Sequence, residues 1–242
     1  MKENNSFLWG MRDGIPICLG YLSVSFAFGI FATSCGLSIL EATLISLFNV
    51  TSAGQLAAVP IIASLGSYIE LALTQLVINM RYALMSVTLS QKFGKTITFR
   101  DRFAFAFVNT DEVFAVATGR PGTVGRRYMY GLIITPVIGW TTGTALGALA
   151  GNILPTVAIS ALGVAIYAMF VAIVTPGVMA QRSTAVLVLL SAILSSVFYY
   201  LPYLRERIPS GFVIIICAAV ASTILALVAP VPDEPEEDPY AA

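Results

Sequence analysis

Apolar residues fill this chain in long runs, and the polar residues that interrupt them fall at few places. Residues 1–14 are polar and end in Arg12-Asp13-Gly14, read as an interfacial lead-in. Ile15 to Thr33 is long enough to cross a hydrocarbon core of about 30 Å, with Pro16 in its first turn. After the turn Gly36-Leu37-Ser38, an apolar run from Leu40 to Val50 is cut by Thr51-Ser52-Ala53-Gly54-Gln55. A second run, Leu56 to Leu65, carries Pro60 and stops at Gly66-Ser67. Each half is about 16 Å long as a helix, too short to cross alone. Tyr68 to Gln91 then reads as a long apolar helix with Asn79 and Arg81 near its middle. A broken apolar helix beside a helix charged at mid-depth is a way in which transporters build sites.

Further on, Lys92, Lys95, Arg100 and Arg102 face a single acid, Asp101, so this loop is expected on the cytoplasmic side. Residues 103–119 (FAFAFVNTDEVFAVATG) are apolar at both ends and polar at Asn109-Thr110-Asp111-Glu112. Basic residues flank them on both sides, which predicts a re-entrant or surface-lying segment that returns to the side it left. Four more spans follow at about 128–153, 157–180, 185–201 and 211–228, and they put the C-terminus in the cytoplasm. Residues 1–229 are expected to form one transmembrane domain, of a transporter on the reading above, and the Pro-rich acidic tail, 230–242, is expected to be disordered. Two topologies fit. If residues 40–65 form a re-entrant hairpin, there are six spans and the N-terminus is inside. If they form one interrupted span, there are seven and it is outside.

Composition supports the class. The chain of 242 residues is 57% hydrophobic and 11% charged, with a mean hydropathy of +0.86. That is too apolar for a soluble domain, and the runs lack the alternation of barrel strands. The fold class is therefore all-α, a polytopic membrane helical bundle. Five acids in the last ten residues leave 13 basic against 8 acidic side chains elsewhere, with no basic block that reads as a nucleic-acid surface. Cys18, Cys35 and Cys217 are scattered, and there is no histidine. No metal site, histidine relay, Ser-His triad or cofactor is expected, nor is an enzyme.

Four sets of residues carry the candidate chemistry. Gly139, Gly143, Gly147 and Gly151 keep a four-residue period, a ridge that lets another helix backbone approach closely. Arg81, with Asn79 and Gln75 on a shared stripe, lies about 21 Å along its helix from Ser67 and is expected to face the interior or a cavity. Its guanidinium either accepts a substrate carboxylate, pairs with a gating acid, or ties helices together as a structural ion pair. Ser52, Gly54 and Gln55 sit at the break, where freed amides of a half-helix starting near Leu56 favour an anion. Asp111 and Glu112, with Asn109 beside them, are the acids able to take up and release a proton, or a solvated loop pair. Glu41 and Glu70 suit helix starts and read as structural.

Taken in order, R-D-G-I-P from Arg12, G-Y-L-S-V-S-F-A-F-G from Gly20, S-A-G-Q-L-A-A from Ser52, I-N-M-R-Y from Ile78 and A-M-F-x-A-I-V-x-P from Ala168 resemble the AzlC family of branched-chain amino acid permeases. That resemblance implies a secondary exporter of branched-chain or similar amino acids in the bacterial inner membrane. It also implies a proton-driven mechanism and completion by a small AzlD-type membrane subunit. The family more often has His after the N-x-R arginine, where this chain has Tyr82. On this reading Ser52, Gly54, Gln55, Asn79 and Arg81 bind the substrate, and Asn109, Asp111 and Glu112 serve coupling or gating. The competing readings are a membrane subunit of an ATP-driven permease and a non-transporting assembly protein.

Overall fold

The computed structural model describes residues 5–151, 153, 155, 157, 171 and 174–228. The described residues are helical, with no strand beyond one isolated bridge between Phe93 and Val124. They belong to two compact units, Met1–Phe170 and Val171–Ala242.

The first unit holds α1 (Phe7–Ser34), α2 (Ile39–Phe48), α3 (Ser52–Ala63), α4 (Tyr68–Gln91), α5 (Phe99–Phe107), α6 (Asp111–Gly119) and α7 (Arg126–Gly151). α1 starts eight residues before the predicted span, capped by the Ser6 side chain, so Pro16 lies inside the helix and not in its first turn. From Phe7 onward the polar lead-in is helical because its polar groups have partners. The Asp13 carboxylate accepts from Tyr128 and Arg120 at 2.7 and 3.0 Å. Gly10 and Gly14 press against α7 backbone, where a Cβ on either would lie 2.8 Å from an atom of Leu132.

α1 and α7 run parallel along the glycine ridge. Built Cβ atoms on Gly139 and Gly143 would each lie 2.5 Å from a carbonyl oxygen, of Cys18 and of Leu22 in turn, and one on Gly147 would lie 2.7 Å from the carbonyl carbon of Phe26. Each step of four on one helix matches four on the other, so the ridge seals a contact within the unit.

Against α7 as a ruler, the segment 40–65 goes in and comes back. Ala42 of α2 and Val59 of α3 share one cluster with Ala148. Between them in the chain, Ser46 meets Thr144 and Gln55 meets Trp140, successively deeper positions. The two helices are about 15 and 18 Å long and form a re-entrant hairpin rather than an interrupted span. Asn5 bonds Thr123 and Gly125 beside the Gly94–Val124 contact, so the start of α1 lies at the end of the unit that carries the basic loop. This selects the topology with the N-terminus on the basic-loop side.

α5 and α6, nine residues each, form a second hairpin from that opposite end. At its base Asp101 bonds Arg126 and Tyr130, and Arg120 bonds Asp13. The buried Asp101 carboxyl is pushed up by desolvation. The Thr98 backbone N–H, the Tyr130 and Thr98 hydroxyls and Arg126 outweigh that and hold it well below the usual carboxylate range. Burial of Phe105 and Val113 in the shared core closes the hairpin onto α7.

The second unit contains helices Arg182–Tyr200, Pro202–Arg207 and Ser210–Val228, the first and last long and apolar enough to cross a membrane. Residues 174–180 are also helical. Most of the predicted 157–180 span and the acidic tail lie outside the described residues.

Candidate functional site

The two hairpins enter from opposite ends, and their tips converge on the middle of α4. Residues 49–51 break the first hairpin, earlier than the Thr51–Gln55 break read from the sequence, and α3 starts at Ser52 rather than near Leu56. The reason is tertiary. Gly54 lies so close to α4 that a Cβ would come within 2.6 Å of Gln75 Oε1, and Gln75 Nε2 donates to the Gly54 carbonyl at 2.8 Å. Asn79 in turn donates to Gln75 at 3.2 Å, and Asn49 to the same oxygen at 3.4 Å. Thr51 gives α3 no side-chain cap, and no acid sits in its first turn.

The second tip presents charge. Thr110 caps α6, whose first turn carries Asp111 and Glu112. Arg81 Nη2 lies 2.8 Å from Asp111 Oδ2, with both side chains about half exposed at 52% and 49%. Arg81 also donates to the Tyr82 hydroxyl at 3.1 Å. Read from the sequence as facing the interior or a cavity, Arg81 is half exposed beside the tip of the second hairpin. Two residues of helix rise, about 3 Å, separate it from Asn79. Asn109 is buried and donates to Ser86 at 3.0 Å.

Of the residues read from the sequence, the structure therefore unites Arg81 with Asp111, and Asn79 with Gly54. It does not bring Gln55 to Arg81. Gln55 is fully buried, accepting from Trp140 Nε1 at 2.7 Å and donating to Ser46 at 2.7 Å, with Ser46 against Thr144 at 2.6 Å. Its role is to fix the first tip on α7. Asp111 and Glu112 point apart, and Glu112 accepts from the Tyr21 hydroxyl at 2.5 Å. Tyr21 stands edge-on to Trp140, with ring centroids 5.1 Å apart. A chain Gln55–Trp140–Tyr21–Glu112 thus joins one hairpin tip to the other. Sequence reasoning missed Tyr21 and Trp140, although each puts a polar tip into an otherwise apolar run.

The residues matched by the family model described as AzlC protein are 16–154, which include both hairpins and every residue named at the tips. The chain belongs to the AzlC family. It is 30% identical over 237 residues to Inner membrane protein YgaZ of Escherichia coli strain K12, covering 95% of this chain and 94% of that protein. It is 31% identical over 187 residues to an uncharacterized membrane protein of Archaeoglobus fulgidus, covering 76% and 82%. No solved structure matches. As an AzlC-family chain with four described helices long and apolar enough to cross a bilayer, this is a membrane protein.

Proposed function

We propose that this protein exports branched-chain or similar small apolar amino acids across the bacterial inner membrane, as a secondary transporter. The observation that supports this most is the convergence of two opposed re-entrant hairpins on a half-exposed ion pair at the middle of α4. Irregular backbone at membrane depth belongs where a cavity or site is lined, and opposed repeats of span and hairpin are a transporter plan.

The chemistry follows from the charges. A free amino acid keeps a carboxylate and an ammonium, and neither enters lipid unpaired without a large cost. The Arg81–Asp111 pair opens to take it. The guanidinium fork receives the carboxylate, assisted by the uncapped N-terminus of α3 next to Asn79, and Asp111 receives the ammonium. One ion pair is exchanged for two, so the charges stay matched as the substrate enters. Proton coupling falls to Asp111 or Glu112 in a chain without histidine. A small AzlD-type subunit completes the exporter. The face of α4 that carries the exposed Leu73, Leu76, Met80 and Leu84 is the surface it would use. The C-terminus lies in the cytoplasm.

Flux of labelled leucine, valine and an unrelated sugar into liposomes tests this, with and without a pH gradient and the small subunit. Leucine and valine flux that the gradient drives supports it, and their failure to move under every condition refutes it.

A further inference from the structure

A cavity of about 230 Å³ lies between α4 and α5, on the basic-loop side of the Arg81–Asp111 pair. Leu89, Phe93, Phe103 and Phe105 wall it with apolar surface, and Asn109 and Arg102 belong to its lining. Two polar features mark it as more than a gap between side chains. Asn109 is only 3% exposed and its amide nitrogen is spent on Ser86, but its Oδ1 is buried with no hydrogen-bond partner. A buried acceptor of this kind calls for a donor. Arg102 has no ion-pair partner among the described residues, and its guanidinium sits 5.4 Å from the Phe93 ring centroid.

An unmet acceptor, apolar walls and a guanidinium match the three parts of an apolar amino acid. We propose that this cavity is a second amino-acid site, in which the substrate waits before reaching Arg81. Its ammonium donates to Asn109 Oδ1, its aliphatic side chain lies against Leu89, Phe93 and Phe105, and its carboxylate reaches Arg102. Arg102 lies about 7.5 Å of helix before Phe107, where α5 ends, and Asn109 follows two residues later, a distance that the long arginine side chain and a bound amino acid together cover. The site adjoins the central one. Ser86 is five residues, about 7.5 Å, beyond Arg81 on α4, and Asn109 is two residues before Asp111. This proposal rests on the transport reading and adds to it a loading site on the basic-loop side.

The test uses Arg102→Gln, which removes the carboxylate partner, and Ala106→Trp, which fills the cavity and keeps Arg102; Ala106→Leu replaces the latter if it does not fold. Each full-length protein is reconstituted with the small subunit, and leucine flux is measured from each side. Both variants should raise the half-saturation for leucine arriving from the basic-loop side by about tenfold, the loss of one charge-assisted contact. The maximal rate from the basic-loop side and the half-saturation from the other side should stay as in the wild type, and the maximal rate from that other side should fall by the same factor, as detailed balance requires. Native half-saturation in both variants overturns the proposal, as does an equal rise from both sides. An effect of Arg102→Gln alone overturns it too, since that is what an arginine holding a lipid headgroup would show. Arg81→Gln run in parallel separates the two claims. If it is inactive while both cavity variants are native, only the loading site fails, and if it transports normally the central reading fails.

Discussion

Replacing Gly147 by alanine adds one carbon at the tightest part of the α1–α7 contact, and its effect can be worked from the structure. The new Cβ would lie 2.7 Å from the Phe26 carbonyl carbon and 2.9 Å from its Cα. Ordinary contact is about 3.5 Å or more, and the Phe26 carbonyl oxygen lies closer still, so the helices must part by about 1 Å or more. The obstruction is backbone and cannot rotate away. Overpacking of this kind costs about 1–3 kcal/mol. For a chain of this size that corresponds to a melting point lower by about 2–12 °C. Gly20 is the control. Nothing lies within 4 Å of its built Cβ, so Gly20→Ala should stabilise the helix by about 0.5–1 kcal/mol. Thermal unfolding of detergent-purified protein, followed by size-exclusion chromatography, measures both. Gly143→Ala, facing Leu22 backbone, should behave as Gly147→Ala does. If both ridge variants melt with the wild type, the ridge does not carry the α1–α7 contact.

Trp140→Phe keeps a ring beside Tyr21 but leaves the fully buried Gln55 Oε1 without its donor, and should cost about 1–3 kcal/mol in the same melting assay; an unchanged melting point would show that the tip is not held there. Asp101→Asn should lower the melting point at neutral pH. A carboxyl depressed in the folded state adds stability that is full above the ordinary range near pH 4 and is lost as pH falls through its lowered value. The gap between wild type and Asp101→Asn should therefore narrow on acidification below about pH 4, and a gap independent of pH would contradict this. Arg81→Lys keeps the charge and loses the planar fork, so leucine flux should fall by about tenfold at equal protein level; native flux would show that the fork is not used. Deleting Asp233 to Ala242 should leave transport unchanged, and lost flux at normal abundance would make the tail a docking segment.

What could be read from the sequence was what depends on local pattern. α4 was legible from end to end, because Ser67 caps it and its apolar run has no breaker before Lys92. The second hairpin was legible from the basic residues on both sides of an apolar segment. Other features depended on partners far along the chain. Ser52-Ala53-Gly54 reads as a break by propensity, yet it is helical because Gly54 packs on Gln75. Arg12-Asp13 reads as interface, yet it is helical because Asp13 finds Tyr128 and Arg120 more than a hundred residues away. Whether residues 40–65 cross or return could not be settled by length. The register of Ser46, Gln55 and Val59 against α7 settled it. Arg81 and Asp111 each stood out as charges in apolar surroundings, but nothing in the sequence paired them. Tyr21 and Trp140 looked like ordinary core aromatics, and their polar atoms acquired meaning only with Glu112 and Gln55 in place.

The central claim is that Arg81 and Asp111 are held for the substrate and not for the fold. Arg81→Gln, Asp111→Asn and the double variant Arg81→Gln/Asp111→Asn separate these roles. Each is reconstituted with the small subunit and assayed for leucine counterflow, with abundance and melting point measured alongside. A purely structural pair is damaged by either single change, which strands the other charge, and is rescued when both are neutral. The account predicts a double variant that is folded and abundant but exchanges no leucine above the protein-free background. Counterflow restored in the double variant to near the wild-type rate would contradict it.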